Sequence, residues 1–202
     1  DWSSDVCSSD LATNWEWYGL NIQNQVGQFW QMPADGWIVQ CGVHMGGYNA
    51  SPNVEICLWD VNSGCYWKLW GSGIFQVGNG RAWREVAVPA LRRAAGQGVR
   101  VGFWRDQAVA AQWSYANDGG VHELGGPNGT WGGTSLCVNE SHSHGSLTSY
   151  FDYVPNNAPV MDGWVSAPSG SITDTNPLFQ GRINHGADQA YDTTSSVHWQ
   201  VW

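Results

Sequence analysis

NVEICLWDVNSGCYWKLW, residues 53–70, is the stretch whose reading decides the fold. Two apolar, aromatic-rich runs flank Asp60-Val61-Asn62-Ser63-Gly64, residue types that tolerate tight or left-handed backbone. The stretch therefore reads as a β-hairpin. Its neighbours read the same way. Upstream, QVGQFWQMP (25–33) is a strand ending at Pro33. ADGWIVQCGVHMGG (34–47) follows, with Trp37, Val39, Cys41 and Val43 alternating against Ile38, Gln40, Gly42 and His44. Downstream, RAWREVAVP (81–89) alternates and is expected to close at Pro89, and ALRRAAG (90–96) is the one short helical candidate or an extended edge. GVRVGFWRDQAVAAQWSY (98–115) reads as two strands around Asp106-Gln107. Residues 117–146 are Gly-rich and loop-like, with a short strand at SLCV (135–138). LTSYFDYVP (147–155) completes the series. Trp83 and Phe103 are the leading core candidates.

Strands of this length and spacing predict an all-β chain, an antiparallel sandwich or jelly roll over residues 12–155. PNNAP (155–159) is a proline-bracketed linker. Beyond it, VMDGWVSAP, NPLFQGRIN and SSVHWQVW are three more candidate strands. Residues 160–202 are too few for the seven strands or so of an immunoglobulin-like sandwich, so a partial one is expected there.

Composition narrows the function. The chain has 8 basic and 17 acidic residues, a net charge of −9, with 26 glycines and 15 tryptophans. An acidic balance argues against phosphate-backbone recognition and against binding to an anionic membrane surface. No apolar run reaches the ~18 residues of a membrane helix. Cys41, Cys57, Cys65 and Cys137 form no Cys-x-x-Cys pair, so a structural zinc site is not expected. They allow two disulfides in three possible pairings, or four thiols.

The first eleven residues, DWSSDVCSSDL, carry no apolar period and no signal-peptide pattern. They resemble one reading frame of a common short-read sequencing adapter. Taken as such they are set aside, along with Cys7 and Trp2, and the chain is expected to be a fragment at both ends.

The remaining order has a family likeness. A strand ending in Pro-x-Asp-Gly leads into an alternating strand, then LWDVNSG, then Trp83 before EVAVP, then GVRVGFW. This resembles the jelly-roll, carbohydrate-binding-module-like domains of bacteriophage tail proteins, especially those of actinobacterial phages. The closing segment is similar to the immunoglobulin-like repeats that follow such domains, through Pro168, Gly170, Thr173, Asp174, Pro177, Phe179, Gly181, Asp188, Asp192, Gln200 and Val201. Both domain types also occur in secreted bacterial hydrolases and adhesins. The resemblance implies a virion minor tail protein without catalytic residues. Its partners would be host cell-surface polysaccharide and other tail subunits. Location on the virion tail, or outside the cell for the secreted alternative, follows from the same likeness.

The candidate binding residues come from strand pairing. If Asp106-Gln107 is a two-residue turn, Arg100, Gly102, Trp104, Val109, Ala111 and Trp113 share one face. Two indoles then flank a shallow step. Sugar rings present apolar C–H faces that stack on flat aromatic surfaces, and Arg100 supplies donors for hydroxyls. The competing reading puts Trp104 and Trp113 in the core. Trp67 and Trp70, near Lys68, form a second aromatic pair that either rims a cleft or lies half-buried at a sheet end. His142 and His144, with Glu140, have no third nitrogen or thiolate ligand nearby and read as a solvated loop. No motif nominates a carboxylate pair for glycoside hydrolysis, Gly-x-Ser-x-Gly is absent, and no cofactor is expected.

Overall fold

The computed structural model describes residues 14–18, 25–60, 65–106, 110–116, 118, 120–125, 135–142, 145–157, 160–166 and 180–184. Among these there is no helix, and none long and apolar enough to cross a membrane. The chain divides into two units, 1–153 and 154–202.

The first unit is an antiparallel β-sandwich. Its smaller sheet contains β1 (Asn14–Tyr18), β3 (Gly36–Gly47), β7 (Gly80–Arg93), β9 (Ala111–Tyr115) and β12 (Ser149–Pro155). Strand β3 is central, with β7 along one side and β9 and β12 as its other partners. The larger sheet contains β2 (Gln25–Gln31), β4 (Asn53–Asp60), β5 (Cys65–Gly71), β6 (Phe75–Gln76), β8 (Gly98–Arg105), β10 (His122–Gly125) and β11 (Ser135–His142). The 53–70 hairpin forms as expected, with Cys57 opposite Gly71 and Leu58 opposite Trp70.

Alternation places the core. Val54, Ile56 and Leu58 of β4 and Val99, Val101 and Phe103 of β8 are fully buried against Ile38, Cys41, Val43 and Met45 of β3. The expected alternation along β3 holds from Cys41 onward but slips before it. Ile38, assigned to the face opposite Cys41 and Val43, joins them in the core. The cause is an irregular register: Ile38 pairs with Leu91, but Gln40 pairs with Ala87. Between these pairs β3 spends one residue and β7 spends three, Val88 to Ala90, with Ala90 at φ 37°. A bulge of this kind absorbs Pro89, which has no N–H to give the ladder. Strand β7 therefore does not close at Pro89. It continues to Arg93, and the helical candidate at 90–96 is extended backbone in its first part.

The larger sheet returns on itself. Its pairings run from β4 to β8, β2, β10, β11 and β5, and from β5 back to β4. Six strands thus make a closed circuit, which leaves fewer free edges. This explains why the side of β4 and β8 turned away from the main core is also buried. Cys57, Trp59 and Trp104 form a second apolar cluster there. Lys68 Nζ meets both Glu55 carboxylate oxygens at 3.0 Å on that side. Gly102 pairs with Gly27 and Cys57, and the Val26 carbonyl occupies the space a β-carbon would need.

In the second unit, β13 (Val160–Ser166) and β14 (Gln180–Asn184) pair as an antiparallel hairpin. The third expected strand, SSVHWQVW, lies outside the described residues.

Candidate functional site

The expected two-tryptophan platform does not form. Strands β8 and β9 both exist, but they belong to different sheets, so Arg100, Trp104 and Trp113 do not share a face. Trp113 is 1% exposed and packs edge-on to Phe103, with ring centroids 5.9 Å apart. Trp104 is buried beside Trp59 on the other side of β8. Arg100 is buried too, its guanidinium 5.6 Å from the Phe29 ring centroid. The physical reason is twofold. Asp-Gln lacks the residue at positive φ that a two-residue hairpin favours. Crossing between layers also lets Phe103 and Trp113 bury each other, at about 25 cal/mol per Å² of apolar surface, where a hairpin would leave both indoles wet. The second pair also separates: Trp67 is 58% exposed, whereas Trp70 packs against the core. The side chains of Glu140, His142 and His144 lie outside what the structure describes.

The structure instead assembles an aromatic face on the outside of the smaller sheet. Strand β7 contributes Arg81, Trp83 and Glu85. In register with them on β3 are Gly46, His44 and Gly42. Strand β12 contributes Tyr150 and Asp152, and β9 contributes Ser114. Trp83, expected in the core, is only half-buried, and it lies in the middle of this face. His44 approaches it edge-on at 5.5 Å between centroids, and Tyr150 does so from another side at 5.3 Å. Three rings thus form a contiguous cluster in edge-to-face geometry, the arrangement their quadrupoles favour, with His44 and Trp83 half-buried and Tyr150 buried beneath the face.

Polar groups hold the rings in place. The Tyr150 hydroxyl donates to Glu85 Oε1 at 2.7 Å and accepts from Gln40 Nε2 at 2.9 Å. Gly42 is what allows the phenol to lie where it does, because a β-carbon there would sit 2.9 Å from Tyr150 Cζ and closer still to Cε1. At the opposite end, Arg81 Nη1 donates to Ser114 Oγ at 2.8 Å, and Ser114 Oγ lies 2.8 Å from His44 Nδ1. Ser114 Oγ thus bridges the guanidinium and the imidazole, accepting from Arg81 and sharing a hydrogen bond with Nδ1.

The electrostatics favour a neutral imidazole. Burial, then the Arg81 and Arg84 guanidiniums, hold His44 below the ordinary imidazole range. Burial, then the hydrogen bond to Glu85, push the Tyr150 phenol up to about 12. Burial, then the Glu85 carboxylate, raise Asp152. The face is therefore bipolar, with arginine at the His44 end and carboxylates at the Tyr150 end. Among the described residues no group of three or more His, Cys, Asp or Glu is placed to hold a metal ion.

One signal for this face was present in the sequence. Arg81, Trp83 and Glu85 share parity along β7, and so do Tyr150 and Asp152 along β12. A tryptophan two residues from an arginine on one side and a glutamate on the other belongs to the polar face of its strand. Comparison with protein-family models, with curated proteins and with solved structures finds no match for this chain.

Proposed function

We propose that the chain is a non-catalytic glycan-binding module carried on a bacteriophage tail as part of a minor tail protein. The observation that carries the binding reading is half-buried Trp83 with His44 on the outer side of the smaller sheet, held by buried Tyr150 and framed by charged and amide groups. Trp83 offers an apolar plane to the C–H face of a sugar ring, while Arg81, Glu85, Gln40 and Asp152 surround it with donors and acceptors for hydroxyls. A few polar groups around an apolar surface fix orientation. The host ligand on this reading is a cell-surface polysaccharide, bound weakly per site and strengthened by many copies on one particle. The residues after 159 act as an immunoglobulin-like spacer or second adhesive module, and other tail subunits are the protein partners. The likeness to tail-protein jelly rolls supports this setting.

A second reading is favoured by one observation. Cys65 and Cys137 are direct partners in the β5–β11 ladder, an arrangement suited to an oxidising compartment. On that reading the same glycan-binding face belongs to a secreted bacterial carbohydrate-active enzyme or adhesin.

The test is titration with soluble polysaccharides (dextran, mannan, galactan and arabinogalactan) followed by tryptophan fluorescence. A saturable change is expected in the parent. It should be lost in Trp83→Ala and weakened in Tyr150→Phe, with cooperative unfolding retained. An equal response in parent and Trp83→Ala removes this face from the binding reading.

A further inference from the structure

Cys65 lies in β5 and Cys137 in β11, and the two are Cα partners in the antiparallel register. Direct partners in such a ladder have Cα atoms ~4.5 or ~5.5 Å apart, depending on the hydrogen-bonding phase. Both values fall inside the ~4.4–6.8 Å window that a disulfide requires. Neither of the other cysteines among the described residues has such a partner. Cys57 stands opposite Gly71 and Gly102, and Cys41 stands opposite Val86. Both are buried free thiols. From this juxtaposition we infer that Cys65 and Cys137 form a cross-strand disulfide that locks the closed six-strand circuit at its β5–β11 step.

Position gives the bond its consequence. The β5–β11 step is held by three residue pairs, Ser135–Trp67, Leu136–Tyr66 and Cys137–Cys65. If it opens, the circuit becomes an open sheet with two free edges, and the side of the sheet carrying Cys57, Trp59 and Trp104 is no longer enclosed. A covalent tie at this step holds it closed after the particle or module meets an extracellular medium.

The chemistry balances with a disulfide oxidant of the glutathione or protein dithiol class. One cysteine thiolate attacks the oxidant's S–S bond, forming a mixed disulfide and releasing one oxidant thiol. The second cysteine, as thiolate, attacks the protein sulfur of that mixed disulfide and expels the other oxidant thiol. Two protons and two electrons leave the cysteines, and one oxidant disulfide becomes two thiols. Cys41 and Cys57 do not compete. Burial, then the Asp152 carboxylate, push the Cys41 thiol up to about 12, and burial, then Glu55, raise Cys57 well above the ordinary thiol range. Both are held in the unreactive thiol form.

The experiment uses the full 202-residue chain, reduced and then exposed to oxidised glutathione without denaturant. Remaining thiols are blocked with N-ethylmaleimide in denaturant, and the digest is mapped by mass spectrometry. The expected product is one cross-link, Cys65 to Cys137, with Cys41 and Cys57 carrying the blocking reagent. The same reaction run in denaturant should scatter among pairings, which shows that the fold directs the native one. In Cys137→Ser, Cys65 should end as the mixed disulfide with glutathione. The inference is overturned by a native product in which Cys65 and Cys137 are both blocked, or in which either is joined to Cys7, Cys41 or Cys57.

Discussion

Gly42→Ala tests the aromatic face without touching any of its functional side chains. Gly42 lies within β3, and an added methyl there would stand 2.9 Å from Tyr150 Cζ. Carbon atoms pack best at about 3.5–4.0 Å, and Cε1 would lie closer than Cζ, so the ring must retreat by roughly 1 Å or more. The phenol is the far end of a side chain, so it moves and the backbone of β3 does not. The retreat carries the hydroxyl away from Glu85 and Gln40, now at 2.7 and 2.9 Å, toward separations where hydrogen bonds fail. Two such bonds are worth about 1–3 kcal/mol together, and urea unfolding followed by tryptophan fluorescence reads that loss. Ultraviolet titration gives a second readout. In the parent the Tyr150 phenol is raised to about 12, against about 10 for a free tyrosine. A raised folded-state value means that the contribution is fully present below about pH 10 and is lost as pH rises through about 12. In Gly42→Ala the phenol should fall back toward the ordinary value and this alkaline loss should shrink, with Tyr150→Phe marking which transition is Tyr150's. Glycan-dependent fluorescence should weaken together with these changes. A variant whose stability lies within about 0.5 kcal/mol of the parent, with the phenol still titrating near 12, would refute the packing argument.

Three further outcomes follow from the same structure. Phe103→Ala empties a fully buried site beside Trp113 and should cost about 3–5 kcal/mol in urea unfolding; a loss under about 1 kcal/mol would contradict the core placement. Lys68→Ala strips the cation from a Glu55 carboxylate that is 8% exposed and should cost about 1–3 kcal/mol. Adding Glu55→Gln should recover stability, because the stranded charge goes, and a double variant no better than the single one would count against the pair. Asp152 has a raised carboxyl because of burial and Glu85, so its ionised form costs stability as pH rises through its folded-state value. Asp152→Asn should therefore raise the thermal midpoint at pH 7 and lose that advantage at pH 3, and an advantage of equal size at both pH values would argue against the Glu85 repulsion.

Much of the strand inventory was legible because period-two patterning is a local property. The 53–70 hairpin, the strands at 25–31 and 36–47, and the strand-forming character of 98–105 and 111–115 all follow from it. What failed was pairing, which is non-local. Residues 98–115 carry the same alternation whether the chain folds back within one sheet or crosses to the other. Besides the weak turn signal of Asp-Gln, the gain from bringing Phe103 against Trp113 decides between them, and that gain depends on where β3 and β9 lie. The slip at Ile38 has a similar origin. Its sequence signal is Pro89, on a partner strand some fifty residues away, and reading Pro89 as a strand end hid the bulge that let β7 continue. The closed circuit was not legible because β10 and β11 come from a glycine-rich region whose strand character depends on partners elsewhere in the sheet.

The binding face shows where local reading could have gone further. Apolar character alone sends Trp83 to the core and leaves Trp104 between a surface platform and the core. The neighbours at two-residue spacing correct the first of these: Arg81 and Glu85 place Trp83 with the polar side of β7, opposite Ala82, Arg84, Val86 and Val88. Arg84 breaks that contrast; register with Val43 puts it on the core-side parity, where it is half-buried and its Nε donates to the Met45 carbonyl at 3.4 Å. The neighbours do not correct the second. Arg100 and Gly102 flank Trp104 just as a solvent face would, yet all of them are enclosed, because the sheet that carries them returns on itself. Parity assigns a residue to one side of its strand, but the closure of the sheet determines whether that side is wet. In this chain a half-buried tryptophan remained at the outer face of the sheet that stays open, and the polar-flanked tryptophan on the sheet that closes became interior.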